Sequence, residues 1–165
     1  MALARHNAQI YGVAHHIEFI LADYLSFAKS YLALPKTSSR KIDVVFLSPP
    51  WGGPSYLTSS PSNRSGVGDE EATDDEHPSY SLSSIQPIHG AELFQLTRQI
   101  TPNIAYYLPR NTSLDEISAL TEDGRQGDAV EHIEVEEEWM GLKLKALTCY
   151  FGGLVEGQDT LFEAV

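Results

Sequence analysis

Apolar and polar residues along this chain follow two periods in turn, and the switches between them mark out an α/β succession. Residues 2–11 place Leu3, Ile10 and Tyr11 at helical spacing, and Gly12 supplies a C-terminal stop. Residues 17–21 (I-E-F-I-L) read as a strand, and a helix over 24–34 follows, with Asp23 at its N-cap position. A polar linker, 35–40, leads into 42–47 (I-D-V-V-F-L). That run is nearly continuous, apolar and β-branched, the pattern of a strand buried on both faces of a parallel sheet. Further along, Leu93, Phe94, Leu96 and Ile100 give 88–100 a helical period, 103–108 reads as a second buried strand, and 114–120 as a short helix. Residues 130–140 and 142–151 read as two antiparallel strands about Gly141, with Trp139 as a structural residue.

Both buried strands are stopped by proline, which cannot donate to a sheet ladder and fixes its own φ. The first runs into Ser48-Pro49-Pro50-Trp51-Gly52-Gly53-Pro54, and the second into Pro109-Arg110-Asn111. Consecutive parallel strands present their carboxyl ends on one side, so these loops are expected side by side, where open α/β sheets place ligands. The first loop has the composition for chemistry on a planar amine. A nucleobase amine is a poor nucleophile because its lone pair is delocalised into the ring, so acceptors must take its N–H protons and aim that lone pair. Ser48 offers a side-chain oxygen and the Pro49 region a backbone carbonyl. Trp51 offers a face on which a base, above all a cationic one, stacks. A proline-rich turn with a core tryptophan is the plain alternative.

Between the two loops the pattern lapses. Residues 57–80 are rich in Ser, Thr, Gly, Asp and Glu and almost lack large apolar residues, so they read as a disordered acidic insert. The net charge of −12 is concentrated in 69–76 and 134–138, and it argues against a protein that tracks duplex nucleic acid. The 165 residues suffice for one domain, 1–156, with a tail at 157–165. Cys149, the only cysteine, lies in an apolar run and reads as a buried small hydrophobe. His15 and His16 have no third ligand at metal spacing, and no metal is expected. With no apolar stretch near the roughly 20 residues that span a bilayer, and no signal-peptide layout, a soluble intracellular protein is expected, with no membrane partner.

The run F-L-S-P-P-W-G-G-P-S-Y (46–56) resembles the trimethylguanosine synthase family, which methylates the exocyclic N2 of 7-methylguanosine RNA caps with S-adenosylmethionine. It is a variant of the [N/D/S]-P-P-[Y/W] signature of amino-methyltransferases. L-A-R-H-N-A-Q-I-Y-G-V (3–13), I-E-F-I-L-A-D-Y (17–24), residues 90–104 and Y-Y-L-P-R-N (106–111) resemble further family segments, so the likeness covers most of the chain outside the insert. It implies a Rossmann-like class I S-adenosylmethionine-dependent methyltransferase fold, with strand order 3-2-1-4-5-7-6. It also implies conversion of 7-methylguanosine caps of small nuclear and nucleolar RNAs to 2,2,7-trimethylguanosine. The partner is then a capped small RNA, gripped at the cap alone, and the setting the nucleus, in nucleolus or Cajal body, with the cytoplasm left open.

On the same resemblance Ser48, Pro49 and Trp51 carry catalysis, and Ser48 also faces the cofactor. Asp23, with Tyr24, is placed near the cofactor's adenine, a role compatible with helix capping. Arg110 and Asn111 join Trp51 in binding the cap, Arg110 at the phosphates; a salt bridge from Arg110 to Asp115 or Glu116 is the competing assignment. Two departures from the family stand out. Ser55 occupies a position that is usually acidic, and no glycine-rich turn joins a strand to a helix. The fold is therefore expected to be incomplete, with about five of seven strands and the first two missing. Such a fragment is expected to be inactive alone and to need an upstream polypeptide to complete it. A cap-binding remnant and a different nucleobase amino-methyltransferase are the alternatives.

Overall fold

The stretch A-L-A-R-H-N-A-Q-I contains three alanines and neither glycine nor proline, and it forms helix α1 (Ala2–Ile10). The computed structural model describes residues 1–35, 41–51, 79–122 and 131–156, and the chain divides into two units, Met1–Arg40 and Lys41–Val165. Within the first, α1 ends where Gly12 takes φ +72°, a left-handed conformation open to glycine. The apolar face expected of this helix does not enter a core: Leu3, Ile10 and Tyr11 are 78, 67 and 80% exposed, and only Ala8 is buried.

Residues 17–21 do not form the expected strand. Ile17 has extended backbone angles (φ −120°, ψ 124°), yet none of the five lies in a ladder, and Ile20 and Leu21 point largely to solvent. A strand needs a neighbour for its N–H and C=O groups, and this unit supplies none among the described residues. Helix α2 (Tyr24–Ala33) follows, capped by Asp23, whose Oδ1 accepts from the Ser26 N–H at 2.8 Å. Phe27 and Tyr31 stack one turn apart along it, with ring centroids at 6.2 Å.

The Lys41–Val165 unit holds four strands, β1 (Val45–Leu47), β2 (Ile104–Pro109), β3 (Glu134–Met140) and β4 (Lys143–Phe151), in the order β1-β2-β4-β3. Four strands among the described residues replace the expected five, because 17–21 joins no sheet. β1 and β2 are parallel, with Leu47 opposite Tyr106, whereas β4 runs antiparallel to both β2 and β3. That order is consistent with the sheet of a methyltransferase fold.

Residues paired across strands share a face. One face of this sheet therefore carries Leu47, Ile104, Tyr106, Leu108, Cys149 and Phe151, all buried. Helix α3 (Gly90–Arg98) seals it: the Phe94 ring lies 6.2 Å from Tyr106 and 4.5 Å from Phe151. The helix starts hard against β2, since the Tyr106 hydroxyl donates to the Gly90 carbonyl at 3.1 Å. A Cβ at position 90 would lie 2.7 Å from Ile85 Cδ1 and 2.9 Å from that hydroxyl, so any larger residue would force these side chains to shift. Helix α4 (Leu114–Ala119), capped by Ser113, packs on the same face through Ile117. The Glu116 carboxylate accepts from the Leu82 N–H at 2.7 Å and fastens the chain segment that precedes α3.

Burial of 42–47 on both faces is not realised. Leu47 is buried, but Phe46 is 63% and Val44 49% exposed. Among the described residues, α3 and α4 cover the Leu47 face and β1 lies at the edge of the sheet. The β3–β4 hairpin turns at Gly141 (φ +60°), as the sequence predicts. Trp139 is not part of the core; it is 57% exposed and donates to Glu137 at 3.0 Å. A register irregularity between Glu138 and Trp139 accompanies its outward position. Cys149 is fully buried, and burial pushes its thiol up to about 12, which makes it inert packing as expected. Of the acidic insert, residues 57–78 lie outside the described residues, as do Gly52, Gly53, Pro54, Ser55, the linker 36–40 and the tail. Tyr80, assigned to the insert's end, is instead buried core at 5% exposure.

Candidate active site

Parallel pairing of β1 with β2 brings the two proline-stopped loops out at the same end of the sheet. Ser48 and Pro50 are exposed there, and Pro49 and Trp51 half-buried. Trp51 lies four residues beyond the last ladder position of β1, so contacts from other elements must hold it. Its indole N–H donates to the Tyr107 carbonyl at 3.2 Å, and its ring lies 4.9 Å from the Tyr107 ring at 35°. Phe46 continues the row, 5.9 Å from Tyr107. The only donor of the indole is thus engaged, and its ring is held against Tyr107.

Tyr107 is a site residue that pattern reading missed. The signal was present in the doubled Tyr106-Tyr107: in a strand, adjacent side chains point to opposite faces, so one must oppose the core. Tyr106 takes the core position, and its phenol is raised well above the ordinary range, chiefly by burial.

The loop after β2 is tightly tied. Pro109 O accepts from both the N–H and the hydroxyl of Thr112, at 3.1 and 2.7 Å. Asn111 is half-buried, and its carbonyl accepts from the Tyr80 N–H at 2.7 Å. Arg110 is half-buried as well. The competing salt bridge from Arg110 to Asp115 or Glu116 does not form: ion pairs among the described residues are Lys41–Asp43 and Arg98–Glu131, and Glu116 is engaged by Leu82. Tyr80 links the loops. Its backbone bridges Thr112, its hydroxyl lies 3.5 Å from the Trp51 carbonyl, and burial pushes its phenol up.

The sheet end thus collects Ser48, Pro49, Trp51, Arg110 and Asn111, with Tyr80 and Tyr107 added. Asp23 and Tyr24 belong to the Met1–Arg40 unit. The Ser26 N–H that Asp23 caps holds its carboxyl below the usual range, so it is ionised at neutral pH. One oxygen serves the cap, and a carboxylate has acceptor capacity for more. Such a group can accept from an amine. The rings of His15 and His16 lie 3.8 Å apart and tilted by 44°, and no group of three or more His, Cys, Asp or Glu among the described residues could hold a metal.

Comparison with known proteins places the chain in a family. The sequence model of the RNA cap guanine-N2 methyltransferase family matches residues 1–62 and 71–154. The trimethylguanosine synthase of Schizosaccharomyces pombe is 34% identical over 126 residues, covering 72% of this chain and 41% of that protein. The trimethylguanosine synthase of Saccharomyces cerevisiae is 33% identical over 115 residues, covering 70% of this chain and 30% of that protein. The chain spans less than half the length of these relatives.

Proposed function

Because the chain belongs to the RNA cap guanine-N2 methyltransferase family, we propose that it binds a 7-methylguanosine cap on Trp51 for methylation of the exocyclic N2. The observation that carries this reading is the locked indole, with its N–H on the Tyr107 carbonyl and its ring backed by the Tyr107 ring. A platform so fixed recognises a base by its face, and the electron-rich indole favours the cationic 7-methyl form over plain guanine. Ser48 Oγ and the Pro49 carbonyl accept the N–H protons of the base amine and aim its lone pair, which is the alignment that direct displacement needs. The Arg110 guanidinium, unpaired among the described residues, takes the cap phosphates with Asn111 beside it. S-adenosylmethionine, when bound, would supply the methyl group; within the Lys41–Val165 unit Ser48 is the residue proposed to face it, and within the Met1–Arg40 unit Asp23 and Tyr24 are the residues suited to an adenine. The substrates on this reading are the 7-methylguanosine caps of small nuclear and nucleolar RNAs, the product 2,2,7-trimethylguanosine, and the setting the nucleus.

One observation favours a narrower second reading. Residues 17–21 join no ladder, and β1 has a strand on one side only, among the described residues. Both features fit a chain that holds the cap yet transfers methyl only when an upstream polypeptide completes the sheet.

Titration with 7-methylguanosine diphosphate against guanosine diphosphate, followed by tryptophan emission, tests the cap reading. Saturable quenching by the methylated form at tenfold lower concentration supports it, and equal response to both points to a different nucleobase amine. Calorimetry with S-adenosylmethionine, with and without the upstream segment, separates the two readings. A saturable isotherm from the monomeric chain alone excludes the second.

A further inference from the structure

We infer that Tyr80 is the positioning residue that sets the spacing between the two loops of the site. The inference rests on the reading of Trp51 as the base platform and adds what holds that platform relative to Arg110. Tyr80 is pinned to the loop after β2 from both sides: its N–H donates to Asn111 O at 2.7 Å, and its carbonyl accepts from the Ser113 N–H at 3.0 Å. The neighbouring Ser79 hydroxyl also reaches Asn111 O, at 3.4 Å. These bonds make the parallel bridge to Thr112, so Tyr80 moves with Arg110 and Asn111 as one body. Its side chain, 5% exposed, runs to the other loop, where its hydroxyl meets the Trp51 carbonyl at 3.5 Å.

The consequence is geometric. Trp51 is held at its indole by Tyr107 and at its backbone by Tyr80. Tyr107 belongs to β2, and Tyr80 is bonded to the turn that ends β2, so both holds refer Trp51 to the strand that leads into Arg110. A ligand touching a stacking ring at one end and a guanidinium at the other is read by the distance between them, and Tyr80 sets that distance. At 3.5 Å the hydroxyl contact is at the limit of a hydrogen bond, so the buried ring, more than the hydroxyl, forms the strut.

The test uses the full chain carrying Trp139→Phe, which leaves Trp51 as the sole tryptophan. Acrylamide quenching and anisotropy of Trp51 are measured without ligand, and affinity for 7-methylguanosine diphosphate is measured separately. Tyr80→Phe is expected to change both by less than about twofold, since the ring remains. Tyr80→Leu is expected to raise the quenching constant about twofold or more and to weaken the cap analogue about tenfold. Its far-UV spectrum at the assay temperature should match the parent. Should Tyr80→Leu not fold, Tyr80→Met, which keeps more of the buried volume, takes its place with the same expectation. Unchanged quenching and affinity in a folded Leu or Met variant would overturn the strut. A parent that fails to bind the cap analogue would overturn the cap reading instead, and Trp51 quenching would still decide the strut.

Discussion

The two units bury the same kinds of side chain to opposite degrees. In Met1–Arg40, Leu3, Ile10, Tyr11, Ile20 and Leu21 are all more than half exposed, although α1 and α2 are regular helices. In Lys41–Val165, Phe94, Ile104, Leu108 and Phe151 are at 0%. Local propensity and capping suffice to make a helix, but they do not make a core. The second unit has one because a parallel pair and a hairpin build a surface that α3 and α4 can cover. The first has helices without such a surface within its own bounds, so its stability is local.

Replacement of side chains across that divide should show the contrast most strongly. Phe94→Ala removes a ring packed on Tyr106 and Phe151 and should cost about 3–5 kcal/mol in urea unfolding, whereas Leu3→Ala and Ile10→Ala should each stay within about 0.5 kcal/mol. A loss for Ile10→Ala close to that for Phe94→Ala would erase the distinction.

The two tryptophans sharpen it at the level of single residues. Trp51 is held by a strand 56 positions away in sequence, and Trp139 by a carboxylate two positions away. Trp51→Ala should cost about 1–3 kcal/mol in cap-analogue binding and leave the unfolding midpoint nearly unchanged. Trp139→Ala should alter neither. Equal loss of binding in both would remove the special standing of the loop after β1.

Two titrations probe the electrostatic side. Asp23 has its folded pKa depressed by the Ser26 N–H, so its capping contribution is full above the unfolded value and is lost as pH falls through the folded one. Exchange protection of the Ser26 amide should therefore collapse in acid, and Asp23→Asn should make it independent of pH while Asp23→Ala lowers it throughout. In the other unit, the Glu136 carboxylate accepts from the Tyr150 hydroxyl at 2.5 Å and holds that phenol up at about 12. The raised value means that its contribution is intact below pH 10 and fades as pH rises towards 12. Ultraviolet titration should find, besides the buried Tyr80 and Tyr106, a late-ionising tyrosine that disappears in Tyr150→Phe and moves down in Glu136→Gln. That is the smallest effect of the series, because the pair is on the surface.

Much of the site was legible beforehand, because it rests on features one residue type can signal. Proline ends a strand wherever it falls, so the loops at Ser48 and Pro109 could be located, and Gly141 marked its hairpin. What escaped depends on partners distant in sequence. Whether 17–21 becomes a strand turns on a neighbour that its own pattern cannot reveal. Phe46 has the pattern of a core residue, and its exposure follows from both helices lying on the opposite face. Tyr80 was assigned to the insert by its polar surroundings, yet a single buried ring with two backbone bonds outweighs them. Arg110 had two open assignments, and the diversion of Glu116 to the Leu82 N–H decided against the salt bridge.

The contact between the Tyr80 hydroxyl and the Trp51 carbonyl sets the residues that flank 52–79 about one tyrosine side chain apart. Closing a chain between fixed ends costs entropy that grows only with the logarithm of its length, about 0.6 kcal/mol for each doubling. With both ends anchored to the sheet, this stretch can gain or lose residues without transmitting the change to the loops on either side. The family's sequence model passes over residues 63–70, which fall within it. Length variation is cheap at this one point of the chain, and the site beside it keeps its dimensions while the sequence between its anchors drifts.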